Sequence, residues 1–190
     1  RRAAMFRKHL ALNSGFLLFS WPANSTPFTY ADDVRDLKAS VPAFREFLAA
    51  AGSRFGRGRV SIVAHSLGSR GLVEALGSRL DGGERFRDLV LLAADIDRAR
   101  FLEALPALEA QVERVSVLVS SRDRALRLSE ALNQAQRLGQ SLQETVPGVL
   151  VRDVTDVADS NFSGHIYHLR NEDVVAIIRE LLRREPENRG

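Results

Sequence analysis

The sequence predicts an α/β fold: a mostly parallel sheet with helices on both faces. Two observations carry this. Short apolar runs alternate along the whole chain with longer stretches whose apolar residues recur every three or four positions. The polar residues able to do chemistry gather just after the short runs, and ligands meet parallel sheets at the carboxyl ends of their strands. The 190 residues fit a single domain spanning 1–190, with a core two or three layers deep.

Each element follows in order. Arg1 to about Ala11 reads as the end of a helix. Gly15 to Ser20 is a continuous apolar run, expected of a first strand buried on both faces. Residues 21–29, rich in Pro, Asn, Ser and Thr, form a loop. From about Tyr30 to Ala51, Val34, Leu37, Val41, Phe44 and Leu48 share one helical face, and Pro42 is expected to kink or split that helix. Val60 to Ala64 is the second strand. The helix after it buries Leu72, Leu76 and Leu80 and stops at Asp81-Gly82-Gly83.

Leu89 to Ala93 is the third strand. It leads to a helix capped by Asp97, with Phe101, Leu105, Leu108 and Val112 buried and Pro106 as a blemish. Val115 to Val119 is the fourth strand, Arg124 to Gln140 is helical, and Val149 to Val154 is the fifth strand. A loop from Thr155 to His168 carries two histidines. Asn171 caps the last helix, whose apolar face is Val174, Ile177, Ile178, Leu181 and Leu182. Residues 185–190 form a frayed polar tail, with Pro186 against further helix.

Composition excludes several function classes. The net charge is +3, but the basic residues are arginines apart from Lys8 and Lys38, and they lie dispersed among acids, as in Asp33/Arg35/Asp36. Without a basic patch or a basic-aromatic surface, nucleic acid is not an expected partner. There is no cysteine, so disulfide and thiolate chemistry are excluded. No apolar run approaches the roughly 18 residues that span a membrane. The four histidines have no carboxylate at ligand spacing, so neither a metal nor another cofactor is expected, and His9 reads as a surface residue. The chain opens on Arg1 rather than Met, which leaves the compartment open between cytoplasmic and exported.

The chemistry centres on Ala64-His65-Ser66-Leu67-Gly68, between a strand and a helix. A serine there, with small residues two before and two after it, matches the sharp turn that lifts a nucleophile off the end of a sheet. Larger side chains at those two positions would collide as strand and helix converge. A serine hydroxyl also needs a base within reach and a third group to orient the base. The chain supplies Ser66, then Asp123 after the fourth strand, then His165 before the last helix, in the order such sheets use.

Alternatives stand beside each. Asp123 is equally suited to cap the helix that follows it. Asp95, one strand earlier, is the alternative acid, and His168 competes with His165. The Leu67 N–H, opening the helix after Ser66, is placed to donate one hydrogen bond to an oxyanion. Trp21 and Pro22 either flank the site or serve as core and turn. Trp21 and His65 are the candidate substrate-lining residues, although in a standard turn His65 points away from the nucleophile.

A longer series now comes into view: Phe19-Ser20-Trp21-Pro22, Tyr30 with Asp33, Ala64 to Gly68, Asp95-Ile96-Asp97, Ser120 to Leu126, and Gly164-His165-Ile166-Tyr167. In that order it resembles the bacterial α/β-hydrolase family catalogued as a domain of unknown function, number nine hundred, over nearly the whole chain. The resemblance implies a triad of Ser66, Asp123 and His165, and it favours His165 over His168. Family members carry an earlier strand ending in a Val-His-Gly-like loop, the usual source of the second oxyanion donor. Here the chain opens inside the helix that follows that loop. An N-terminally truncated α/β-hydrolase-like fold is therefore expected, with the Phe16–Phe19 strand unpaired on one side. The expected function is that of a serine hydrolase cleaving an ester or related acyl bond in a small molecule. The alternatives are a catalytically inactive α/β-hydrolase-like binding domain or fragment, and an acyltransferase using the same triad.

Overall fold

The computed structural model describes residues 2–24, 29–83, 85–141, 146–157 and 164–183. The expected frayed tail at 185–190 lies outside them. Among the described residues four strands form one parallel sheet in sequence order: β1 (Ile62–His65), β2 (Phe86–Leu92), β3 (Val112–Val119) and β4 (Val149–Asp153). Each parallel step is made through a helix, as parallel pairing demands. These are α3 (Leu67–Leu76), α4 (Arg98–Glu109) and α5 (Arg124–Asn133). Helices α1 (Arg2–Leu10) and α2 (Tyr30–Phe55) precede the sheet, and α6 (Tyr167–Arg170) and α7 (Glu172–Arg183) follow it.

Alternation along the strands sorts the core into two layers. Leu89 and Leu91 of β2, and Val115 and Val117 of β3, pack with Phe44 and Leu48 of α2, Leu72 and Leu76 of α3, and Phe101 and Leu105 of α4. Val90 and Leu92 of β2 and Leu118 of β3 face the other way, onto Phe6 and Leu10 of α1, Leu126 of α5, and Val174, Ile178 and Leu181 of α7. Successive strand residues point to opposite faces, so continuous apolar runs such as Leu89–Leu92 read correctly as strands covered by helices on both sides. The α/β architecture is as expected.

The first expected strand is not one. Residues 15–20 carry no strand structure, and Phe16, Leu17 and Leu18 are 37, 53 and 62 % exposed. Among the described residues β1 pairs only with β2. Apolar composition gives a strand a face to bury, but a strand is held by a neighbour's backbone groups. Only Phe19 of this run is drawn inward, stacking on Phe44 at 4.2 Å. Among the described residues the sheet accordingly has four strands where five were expected.

Helices also differ from expectation: Val112, expected on the helix after the third strand, instead opens β3 once α4 has ended at Glu109. Helix α2 runs unbroken through Pro42. Its buried stripe is seated on α3, where a Cβ at Gly71 would stand 2.6 Å from Leu37 Cδ1, so close docking offsets the lost backbone bond. Helix α3 ends at Leu76, not Leu80, because buried Gln111 satisfies the unwound turn. Its amide donates to the Leu76 carbonyl at 2.8 Å and accepts the Leu80 N–H at 2.8 Å. Helix α5 ends at Asn133, after which Gln134 adopts a left-handed conformation (φ 51°). The chain then returns across the end of the sheet, with Gly139 N–H on the Ala94 carbonyl and Ser120 N–H on the Gly139 carbonyl, at 3.0 and 2.9 Å. The expected caps form: Asp97 accepts the Ala99 N–H at 2.8 Å, and Asn171 accepts the Val174 N–H at 3.0 Å.

Gly139 tests this packing. An added Cβ would sit 2.3 Å from the Ala94 backbone nitrogen, which has no side-chain freedom to yield. Gly139→Ala is expected to cost about 1–3 kcal/mol, read as a lower midpoint in urea denaturation.

Candidate active site

The elbow at Ser66 is strained as its pattern requires. Ser66 has φ 56° and ψ −130°, a region that non-glycine residues seldom enter. Hydrogen bonds hold it there: its N–H donates to the Leu92 carbonyl at 3.0 Å, and its carbonyl accepts from Ser69 and Asp95 N–H groups at 2.9 and 3.2 Å. The small residue two positions on has a different reason from the expected one. A Cβ at Gly68 would meet the Trp21 ring, at 3.3 Å from Cη2, and not the strand. Trp21 thus lies against the first turn of α3. Leu67 is the first residue of that helix, where N–H groups lack intrahelical partners and the helix dipole is positive.

Ser66 meets His165, and His165 meets Asp123. Ser66 Oγ is 2.8 Å from His165 Nε2, and His165 Nδ1 is 2.7 Å from Asp123 Oδ2. A carboxylate only accepts, so Nδ1 carries the ring proton and donates it. The Nε2 lone pair then faces the serine hydroxyl. The two readings of Asp123 turn out to be compatible, because its oxygens are divided. Oδ2 takes the imidazole, while Oδ1 accepts the Leu126 N–H at 3.0 Å and caps α5. Asp123 is fully buried, and such a group is tolerable only when both oxygens are occupied in this way.

The alternative acid is engaged elsewhere. Asp95 Oδ1 accepts the Ser129 hydroxyl at 2.5 Å and lies 3.8 Å from Arg137 Nη1, while Tyr30 and Asn133 bond in turn to Ser129. Burial and the Asp95 charge push the Tyr30 phenol upward. Asp97 is occupied as the α4 cap.

The histidine loop is anchored on three sides. Gly164 has φ 60°, and a Cβ there would stand 2.9 Å from the Arg122 carbonyl oxygen, so glycine lets the loop pass against the segment before Asp123. Tyr167 drives its phenol under the ends of β2 and β3, accepting the Ala93 N–H at 2.7 Å and donating to the Leu118 carbonyl at 3.4 Å. His65 lies against both neighbouring histidines, with ring centroids 4.7 Å from His165 and 4.2 Å from His168. Tyr167 and Gly139 had no assigned role in the sequence. Their only sequence signals are a tyrosine two residues past the histidine and a glycine inside an apparent helix.

His168 is not within the hydrogen-bonded series. It is buried, it contacts Phe6 edge-on at 5.6 Å, and its Nδ1 has no partner among the described residues. Burial, reinforced by His165 and Arg2, pushes its imidazole down to about 4. Burial and the two flanking histidines likewise hold His65 well below the ordinary histidine range. Among the described residues no group of His, Asp and Glu is arranged to hold a metal, and no helix is long and apolar enough to cross a membrane.

Comparison with known proteins identifies a family. The family model described as alpha/beta hydrolase of unknown function (DUF900) matches residues 1–184. No curated protein and no solved structure matches the chain.

The buried histidine has a consequence for stability. His168 is neutral when folded and titrates near 6.5 when unfolded, so the unfolded chain binds the extra proton first as pH falls. Its contribution is whole above pH 6.5 and is lost between about 6.5 and 4, a fall of about 3 kcal/mol. His168→Phe, which keeps an aromatic ring against Phe6, is expected to flatten that part of the stability–pH curve, measured by urea denaturation across the range.

Proposed function

Because the chain belongs to this family of alpha/beta hydrolases of unknown function, we propose that it is a serine hydrolase acting on an ester or related acyl bond of a small molecule. One observation carries the reading: the unbroken hydrogen-bonded series from Ser66 Oγ through both nitrogens of His165 to Asp123, at 2.8 and 2.7 Å.

The steps follow from that geometry. Ser66 Oγ attacks the acyl carbon as its proton passes to His165 Nε2. The imidazolium that forms is stabilised by Asp123 through the Nδ1–H bond. The oxyanion turns toward the Leu67 N–H at the positive end of α3. His165 then gives its proton to the departing alcohol oxygen, leaving Ser66 acylated. Water repeats the sequence on the acyl-enzyme and frees the acid. Trp21, lying against Gly68, is suited to line the acyl side of the site.

A fluorophosphonate probe is expected to label the protein at Ser66 and to fail on Ser66→Ala. A well-folded protein that takes no label would replace this reading with an inactive α/β-hydrolase-like binding domain. Asp123→Asn separates the two duties of that residue. Asparagine also caps helices, so the melting temperature is expected to hold. Its amide nitrogen would face His165 Nδ1 and favour the wrong tautomer, lowering the labelling rate by about 10,000-fold.

A further inference from the structure

His65 and Ser66 are consecutive residues, and both reach His165. Ser66 Oγ lies 2.8 Å from the ring at Nε2, while His65 Nε2 lies 2.9 Å from the main-chain carbonyl oxygen of His165. A carbonyl oxygen only accepts, so His65 Nε2 carries a proton and donates it. The elbow therefore holds the base by ring and by backbone, closing a hydrogen-bonded loop through residues 65, 66 and 165.

Such a hold has something to act on. His165 precedes α6 on a segment with no helix or strand structure of its own, and side chains on irregular backbone need outside support to keep a productive geometry. The His65 ring is itself fixed, with His165 on one side and His168 on another, and His168 is backed edge-on by Phe6 and Tyr167 at 5.6 and 6.2 Å. Phe6 extends this support to α1, on the face of the sheet that also carries α7.

We propose that His65 is a positioning residue, holding the His165 carbonyl so that the imidazole meets Ser66 and Asp123 together. Its effect on rate rests on the serine-hydrolase reading; the hold on the loop does not. A ring kept neutral by its burial is suited to the position, since it donates without adding positive charge beside an imidazole that must become cationic.

Three variants test this. His65→Leu and His65→Asn remove the reaching donor, one by polarity and one by length. His65→Gln keeps an amide N–H able to reach the same carbonyl. Two signals are followed: the rate of fluorophosphonate labelling, and the NMR resonance of the His165 Nδ1 proton shared with Asp123, which requires no turnover. Leu and Asn are expected to slow labelling about 10- to 100-fold and to broaden the proton signal beyond detection. Gln is expected to restore labelling to within about threefold of the wild type, together with the signal. The Asn variant decides the matter if the Leu variant does not fold. Unchanged labelling and signal in the Leu and Asn variants would overturn the proposal, as would a Gln variant no better than they are. If the wild type takes no label but shows the proton signal, and only Leu and Asn lose it, the hydrolase reading fails and the hold by His65 stands.

Discussion

The backbone of Ser66 is the constraint around which the structure is arranged. A residue at φ 56° costs about 1–3 kcal/mol and persists only where its surroundings leave no alternative. Here they are β2 and α3: the Leu92 carbonyl, the Asp95 N–H and the Ser69 N–H all bond to Ser66. Those groups are in place because β1 and β2 run parallel in fixed register, His65 opposite Leu92. The sheet thus supplies the energy that bends the chain, and the bend supplies an accessible hydroxyl beside the first N–H groups of a helix.

The partners of Ser66 come from further along the chain, and each is held by more than one device. Asp123 is fixed from both oxygens, one on α5 and one on His165. The loop of His165 is fitted to its surroundings by the absence of a side chain at Gly164, by the buried phenol of Tyr167 and by the ring of His65. The segment after α5 is tied to the ends of β2 and β3 through Gly139, whose neighbours leave no room for a side chain. Small backbone clearances, rather than large apolar contacts, set the distances around the serine.

Legibility in the sequence varied with how local the determining physics is. The strands from β1 onward and the caps at Asp97 and Asn171 depend on nearby residues, and their patterns were readable to within a few positions. Helix ends at Leu76 and Asn133 were not, because Gln111 and the Gly139 crossing come from elsewhere in the chain. The apolar run at 15–20 misled for a related reason: its composition suits a strand, but no described strand lies beside it to bond with. The smallness of Gly68 was readable, while the Trp21 ring that lies against it was not.

The sequence by itself determined the α/β class, the elbow, and a serine, an acid and a histidine in an order that suits such a sheet. These are carried by period, spacing and residue type, all of which are local. Tertiary structure decided which acid faces His165, that the same acid also caps a helix, and that His65 turns to the histidine loop. Those outcomes depend on where residues far apart in sequence come to lie across the ends of the strands. Hydrogen bonds of about 3 Å tolerate little error in that placement, and no local pattern encodes it.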